Sequence, residues 1–298
     1  MSENIEKKHK VAIIENIKIK GDYELDATVY RPEEKGSYPC VLVCHGFLSS
    51  KEEAGDFPYK LAEEGYIVLA FDFSGHGKSE GDRGYCTATR HLDDSERALK
   101  KLWEQEGVIK EKTAVLGHSM GTVATIRLLG ESEEGKKCLT GIVLAPVRKF
   151  SDAVGKFELE AYKFVAGIAW PVLLITGKHM YLPYKVKTSE IFLDQEIAKE
   201  FEKKNLLQTT MPINNYYYMI KQIDNEKYAP KVQQKILAII GKHDKVIPPL
   251  GSRSVFEKFP NKDKKLVEIE NCGHSLMMDY GKNDVFKEVK DWLVKVFE

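Results

Sequence analysis

The sequence predicts a doubly wound α/β fold: a mostly parallel β-sheet between helices, with an antiparallel N-terminal hairpin and an inserted cap. Short continuous apolar runs recur along the chain, which is typical of strands buried on both faces: CVLVC, YIVLAFDF, KTAVLG, LTGIVLAP, KILAIIG and KKLVEIE. Amphipathic stretches separate most of these runs, and such alternation with right-handed crossovers builds a parallel sheet covered by helices. About eighty residues separate LTGIVLAP from KILAIIG, too many for a loop in a compact domain.

The elements follow from local patterns. VAIIENIKI and YELDATVYRP flank Gly21-Asp22 and read as two alternating strands joined by a turn, hence an antiparallel hairpin. Helical periodicity marks five segments between and after the apolar runs, at about residues 52–64, 89–106, 120–130, 251–258 and 283–297.

The long interval is interpreted as a cap, residues 147–230, inserted between core segments 1–146 and 231–298. It contains a helical pattern, SEIFLDQEIAKEFEKK, and three consecutive tyrosines, Tyr216, Tyr217 and Tyr218. It also contains PVLLITGKHM, which is very similar to KILAIIGKHD further on. The second copy alone ends in an acid and continues into KVIPP and a helix, so it is assigned to the sheet. The first is expected to be a strand-like piece of the cap.

Composition narrows the classes of function. The 298 residues suit one large domain with an insertion, or two domains. Lysine plus arginine equals aspartate plus glutamate, 45 each, so no net charge draws the chain to nucleic acid or an anionic membrane. The longest apolar run, residues 164–175, contains Pro171 and is shorter than the ~20 residues of a membrane span. A small or neutral substrate without stable membrane insertion is therefore expected, and a homo-oligomer stays open.

Two features indicate the compartment. The five cysteines are an odd number without CxxC spacing, which favours reduced thiols over a disulfide framework. The first ten residues, MSENIEKKHK, are charged and precede no apolar stretch of the secretory kind. A cytoplasmic location is expected.

Two G-x-S-x-G motifs are candidate nucleophile turns, centred on Ser79 and Ser119. A serine hydroxyl must be held exposed on a sharp strand-to-helix turn, beside a base, to act as a nucleophile near neutral pH. The motif around Ser119 directly follows KTAVL and directly precedes the helical run MGTVATIRLL. The motif around Ser79 leads into GDRGYC, which cannot start a helix, and is interpreted as a glycine-rich turn. Ser119 is the predicted nucleophile, against the simpler role of a helix N-cap.

The base and the acid follow from chain order. A nucleophile turn of this kind requires an acid and then a histidine, each just past a late strand. Only His274 of the eight histidines lies beyond Asp244, which itself ends ILAIIGKHD. Asp244 is the predicted orienting acid and His274 the predicted base, with Asp72 and Asp263 as weaker rivals for the acid.

The tetrahedral intermediate of acyl transfer needs two N–H donors for its oxyanion. The residue after the nucleophile, Met120, supplies one. The second is expected from the turn His45-Gly46-Phe47 that follows CVLVC, and Phe47 is the predicted donor.

With HGF, FDFSGHGKSEG, GHSMG, GKHDKVIPP and CGH in this order, the chain resembles the α/β-hydrolase superfamily. It looks closest to the branch of monoglyceride lipases, lysophospholipases and cinnamoyl (feruloyl) esterases. The resemblance covers roughly residues 10–146 and 228–298 and not the cap. It implies a Ser119–His274–Asp244 triad, oxyanion donors at Phe47 and Met120, and no metal or organic cofactor.

The function expected is hydrolysis of a small carboxylic ester through an acyl-enzyme, with a short-chain, aryl (such as hydroxycinnamoyl) or monoacylglycerol-like substrate. A thioesterase, acyltransferase or peptidase of the same fold is the alternative. A catalytically silent binding protein is the remote one.

Overall fold

The computed structural model of the protein describes residues 11–152, 156–183, 187–204 and 207–298. The first ten residues, on which the expectation about the N-terminus rests, lie outside these ranges. Ten strands are described: β1 (Val11–Ile19), β2 (Leu25–Pro32), β3 (Tyr38–Cys44), β4 (Ile67–Phe71), β5 (Val108–His118), β6 (Thr140–Leu144), β7 (Tyr181–Pro183), β8 (Thr210–Pro212), β9 (Lys235–Gly241) and β10 (Lys264–Ile269).

Eight of these strands form one sheet, in the order β1-β2-β4-β3-β5-β6-β9-β10. β1 and β2 pair antiparallel as a hairpin, and β2 pairs antiparallel with β4. All pairs from β4 onward are parallel. This confirms the predicted mostly parallel sheet with an N-terminal hairpin. Because parallel strands end at the same edge, the turns after β3, β5, β9 and β10 lie together there.

Within the described ranges, ten α-helices surround or connect the strands: α1 (Phe57–Glu63), α2 (Ala88–Trp103), α3 (Gly121–Glu131), α4 (Lys156–Thr176), α5 (Thr188–Ile191), α6 (Gln195–Lys203), α7 (Asn214–Gln222), α8 (Asn225–Tyr228), α9 (Pro249–Lys258) and α10 (Lys282–Phe297). Helices α2, α3 and α9 bury residues such as Leu99, Ile126 and Val255 on one face of the sheet. Helices α1 and α10 bury Leu61 and Trp292 on the other. None of the described helices is long and apolar enough to cross a membrane.

The described parts of residues 147–230 contribute helices α4–α8 and the two-stranded β7–β8 sheet, and none of their strands joins the large sheet. KILAIIG forms β9, as predicted. The expectation that PVLLITGKHM is strand-like is wrong, because Pro171–Thr176 is the last part of α4. The preceding turns of this helix pack on Ile213 through Ala169 and Val165, and the apolar run continues that helix.

Two predicted helices are interrupted. Residues 52–64 form a 3-10 turn, Lys51–Ala54, and then α1, with Gly55 between them at a φ of +56°. That left-handed backbone conformation suits glycine and ends the first turn. The pattern SEIFLDQEIAKEFEKK likewise forms α5 and α6, separated at residues 192–194.

Candidate active site

Ser119 stands on a sharp turn between β5 and α3. Its φ is +51°, a conformation rarely adopted by residues other than glycine, and its amide donates to Leu144 O at 2.9 Å. The flanking glycines make the turn sterically feasible. A Cβ on Gly121 would lie 2.2 Å from Cys44 O, and one on Gly117 would lie 2.5 Å from Gly121 O. A strained serine in such a turn is typical of a nucleophile elbow.

His274 and Asp244 complete a continuous line of hydrogen bonds with Ser119. His274 Nε2 lies 2.9 Å from Ser119 Oγ, and His274 Nδ1 lies 2.8 Å from Asp244 Oδ2. The carboxylate is fixed through its other oxygen, because Asp244 Oδ1 accepts the amides of Val246 and Ile247, each at 2.8 Å. An ionised carboxylate only accepts, so Nδ1 carries the imidazole proton and Nε2 is left to accept from the serine hydroxyl.

The turn after β3 brings the second predicted oxyanion donor to the same place. Phe47 lines the pocket that also contains Ser119. The preceding amide, Gly46 N–H, is directed elsewhere and donates to Glu53 Oε1. Met120 is the N-cap of α3, where main-chain N–H groups have no intrahelical acceptor. The structure thus places Phe47 and Met120 next to the serine.

A buried pair, Glu53 and His118, lies behind the elbow, and this pairing was not predicted from the sequence. His118 Nδ1 is 3.0 Å from Glu53 Oε1, and His118 Nε2 donates to the His274 carbonyl oxygen at 2.9 Å. Burial opposes ionisation of both groups. The attraction between them outweighs it, so the pKa of His118 is raised and the pKa of Glu53 is lowered from their usual values. The interaction therefore favours the ionised form of both groups.

A mostly apolar pocket adjoins Ser119 and His274. Its apolar lining comes from the turns after β3 and β9 and from residues 191–207: Phe47, Ile191, Phe192, Phe201, Leu207 and Val246. The three tyrosines noted in the sequence do not line it. Tyr216 is buried against Phe150, and Tyr217 is 48% exposed.

The side chains of the weaker candidates from the sequence, Ser79, Asp72 and Asp263, are engaged in hydrogen bonds or ion pairs away from the triad. Ser79 Oγ donates to Asp72 O at 2.6 Å and accepts from Asp26 N at 2.8 Å, so its hydroxyl is fully engaged. Asp72 accepts from the amides of Lys51 and Lys78 and pairs with the Lys51 ammonium. Asp263 pairs with Lys235 and Lys295 at the surface.

Two further histidines, His76 and His91, are buried around Phe73 and are expected to make the fold acid-sensitive. Burial lowers the pKa of His76 to about 3 and that of His91 well below its usual 6.5. The unfolded chain therefore binds protons between pH 6.5 and about 3 that the folded chain does not, so stability falls as the pH falls through this window.

Urea unfolding at pH 7.5 and 4.5 measures this effect, which amounts to about 2–3 kcal/mol for His76. His76→Asn, which keeps a donor for the Ser74 carbonyl, should reduce the pH dependence between these values. An equal loss of stability in wild type and variant would contradict the assignment. His118 does not mimic the effect, because its pKa is raised and its stabilisation is lost at higher pH.

Among the residues that the structure describes, no group of three His, Cys, Asp or Glu side chains could hold a metal ion.

The sheet order, the elbow after β5 and the acid and histidine turns after β9 and β10 define an α/β-hydrolase. A family model described as serine aminopeptidase, S33, matches residues 37–281. The chain belongs to this family of serine hydrolases, and it is an α/β-hydrolase of the esterase and lipase type.

Relatives and solved structures agree with this class. The chain is 26% identical to caffeoylshikimate esterase of Arabidopsis thaliana, over 91% of this chain and 79% of that protein. It is 24% identical to a rhodomycin D methylesterase of Streptomyces peucetius, over 80% and 85%. A crystal structure of the monoacylglycerol lipase of Paleococcus ferrophilus has a TM-score of 0.72 at 21% identity, covering 91% of this chain and 98% of that one.

Proposed function

We propose that the protein hydrolyses small carboxylic esters, with Ser119 as nucleophile, His274 as general base and acid, and Asp244 as the orienting carboxylate. The observation that carries this proposal is the line Ser119 Oγ–His274–Asp244 at 2.9 and 2.8 Å. Such a line on a strained elbow is what nucleophilic acyl transfer requires.

In the proposed reaction, His274 Nε2 takes the Ser119 proton while Oγ attacks the ester carbonyl carbon. The amides of Phe47 and Met120 donate to the oxyanion of the tetrahedral intermediate. His274 then protonates the leaving alcohol as the acyl–oxygen bond breaks, leaving the acyl chain on Ser119. A water deprotonated by His274 attacks this acyl-enzyme and releases the acid, and the proton returns to Ser119.

An ester is favoured over an amino-terminal peptide by the charges in the pocket. Recognition of a substrate ammonium group needs a carboxylate that is not already neutralised. Among the described residues that line the pocket, Glu53 is the one with a carboxylate. This carboxylate is already engaged, because it pairs with His118 and accepts a hydrogen bond from the Gly46 amide. The remaining lining is largely apolar and suits an alkyl or aryl acyl group.

The names of two relatives favour the same class, since they are a caffeoylshikimate esterase and a rhodomycin D methylesterase. Within the class, short-chain, aryl and monoacylglycerol-like esters are the candidate substrates. A thioesterase or an acyltransferase would form the same acyl-enzyme. A thioesterase differs in its leaving group, which is a thiol, and an acyltransferase differs in the acceptor of the acyl group, which is not water.

Substrate profiling of the purified protein tests the proposal. The protein should react covalently with a fluorophosphonate and turn over p-nitrophenyl esters of two to eight carbons at least 100-fold faster than amino-acyl p-nitroanilides. Preferred turnover of the anilides would support a peptidase instead. Faster product formation with added alcohols would support acyl transfer, and a protein with neither labelling nor turnover would support a binding function.

We also propose that residues 147–230 act as a cap that shapes the acyl pocket. Four of the six apolar lining residues named above come from this segment: Ile191, Phe192, Phe201 and Leu207. Phe201 is only 4% exposed and packs on Phe192, with ring centroids 5.2 Å apart.

Phe201→Ala should therefore enlarge the pocket and shift the preferred p-nitrophenyl ester to a longer acyl chain, while the fluorophosphonate reaction at Ser119 stays within a few-fold of wild type. Phe164→Ala is the matched control, because Phe164 lies in the same segment, is 70% exposed and does not line the pocket. Identical chain-length profiles for the two variants would argue against a cap in contact with the acyl group.

A reducing compartment, the cytoplasm, is proposed from the thiols. All five cysteines are buried and free, and burial raises the pKa of Cys44 and Cys86 to about 12, so both stay protonated. Titration of the protein isolated under non-reducing conditions, then unfolded, should find five thiols.

A further inference from the structure

Asp279 carries a buried carboxylate whose hydrogen-bond capacity is filled by main-chain amides alone. The residue is 0% exposed, and in the described part of the chain it forms no ion pair. Its Oδ2 accepts from Gly273 N and Leu193 N, both at 2.8 Å. Its Oδ1 accepts from Asp194 N and Tyr280 N, both at 3.0 Å. Four donors occupy the four lone-pair positions of an ionised carboxylate. Because an unsatisfied buried charge is very costly, this arrangement fixes all four amides relative to one another.

The four amides belong to two segments that are distant in sequence. Gly273 is the residue immediately before His274, and Tyr280 follows the same turn. Leu193 and Asp194 belong to residues 191–194, here called the strap, which joins α5 to α6. The two segments also meet directly, since Ile191 O accepts from His274 N at 2.8 Å and from Ser275 N at 3.1 Å.

The contact is tight enough to require glycine next to the histidine. A Cβ on Gly273 would lie 2.9 Å from Ile191 O and 3.1 Å from Asp279 Oδ2. A side chain at this position would push the strap away from the turn that carries His274.

The strap also forms part of the pocket wall. Ile191 and Phe192 line the pocket beside Ser119, and Phe192 is 2% exposed. Asp279 thus binds both the turn that carries His274 and the strap that forms part of the pocket wall.

We infer that Asp279 is a positioning residue for the proposed ester hydrolysis: it holds His274 through the Gly273 amide and the pocket wall through the Leu193 and Asp194 amides. The inference rests on the proposed function. It adds to that function a link between His274 and the acyl pocket. Because one carboxylate holds both, a change at Asp279 alters proton transfer and acyl selectivity together.

Asp279→Asn tests the inference. An amide has one acceptor oxygen, and its NH2 group would face two N–H donors, so at least two of the four hydrogen bonds are lost. We expect kcat/KM for p-nitrophenyl esters to fall about 10- to 100-fold, as for a small misplacement of a catalytic group. The rate of fluorophosphonate labelling should fall in parallel. The kcat/KM–pH profile should also differ in shape from that of the wild type, because proton transfer through a displaced ring no longer has the wild-type geometry.

The acyl-length preference should change in the same variant. A merely structural role would lower the urea midpoint without moving the pH profile or the preference. Asp291→Asn is the matched control, since Asp291 lies on α10, is paired with Lys287 at the surface and should leave all three readouts as in wild type. A folded Asp279→Asn protein with wild-type kcat/KM, pH profile and acyl preference would overturn the inference.

If Asp279→Asn does not fold, Gly273→Ala provides a second test of the same inference. It crowds both the strap and Asp279 Oδ2 while keeping the carboxylate chemically intact, and it should give the same combined change in pH profile and acyl preference. Wild-type kinetics in this variant would overturn the inference. An inactive, unlabelled wild-type protein would instead overturn the proposed function, and the inference with it.

Discussion

Ser119→Ala is expected to abolish fluorophosphonate labelling and to reduce kcat for p-nitrophenyl esters by about 10⁴- to 10⁶-fold. Removal of Oγ deletes the atom that forms the acyl-enzyme, while the methyl group still fits the elbow. The oxyanion donors and the pocket remain, so a weak residual rate above the uncatalysed one is expected.

The chain supplies its own control for this variant. Ser79 is the central residue of the second G-x-S-x-G motif, and its hydroxyl bonds Asp72 O and Asp26 N within the core. Ser79→Ala should lower the urea midpoint and leave labelling intact. Labelling that survives in Ser119→Ala and disappears in Ser79→Ala would show that the wrong serine has been assigned.

Asp244→Asn is expected to lower kcat by about 10⁴-fold with little change in fold, as replacing the carboxylate of such a triad by an amide does. The backbone dictates how the amide would sit. Val246 N–H and Ile247 N–H both point at Oδ1, so the asparagine oxygen takes that position and its NH2 group faces His274 Nδ1. Nδ1 must then accept, which moves the ring proton to Nε2 and leaves no lone pair there for the Ser119 proton.

Asp263→Asn is the matched comparison, since Asp263 was the rival acid late in the sequence and is paired with lysines at the surface. It should retain wild-type kcat. An Asp244→Asn protein with nearly normal kcat across pH 6–9 would remove Asp244 from the proposed triad.

The sequence was informative where local chemistry and long-range structure agree. Apolar runs indicated the buried strands, and the glycines around Ser119 indicated the elbow, because both signals are properties of consecutive residues. Chain order then selected Asp244 and His274, which the fold brings within hydrogen-bonding distance. The turns after β5, β9 and β10, which carry these three residues, lie at the same edge of the parallel sheet, as the order of the motifs implied.

The wrong or missing predictions depend mainly on parts of the chain outside the local segment. The break between α5 and α6 has a local part, because Asp194 caps α6 with its side chain. It also has a part that the local sequence does not contain, since the amides of Leu193 and Asp194 bind Asp279, some eighty-five residues away. Glu53 was missed for the same reason, since its partners Gly46 and His118 lie on different strand ends. PVLLITGKHM has the composition of a strand, but its first six residues continue α4, which begins fifteen residues earlier at Lys156.

The buried pair behind the elbow bears on the charge that His274 acquires during the proposed reaction. The rings of His118 and His274 have centroids only 5.0 Å apart, and the pKa of His118 is raised, which favours its cationic form. A lone cation at that distance would discourage a second one, by an amount that grows as water is excluded. The carboxylate of Glu53, 3.0 Å from His118 Nδ1, offsets this repulsion. The pair behind the elbow thus adds little net charge next to His274, because the positive charge of His118 comes with the negative charge of Glu53.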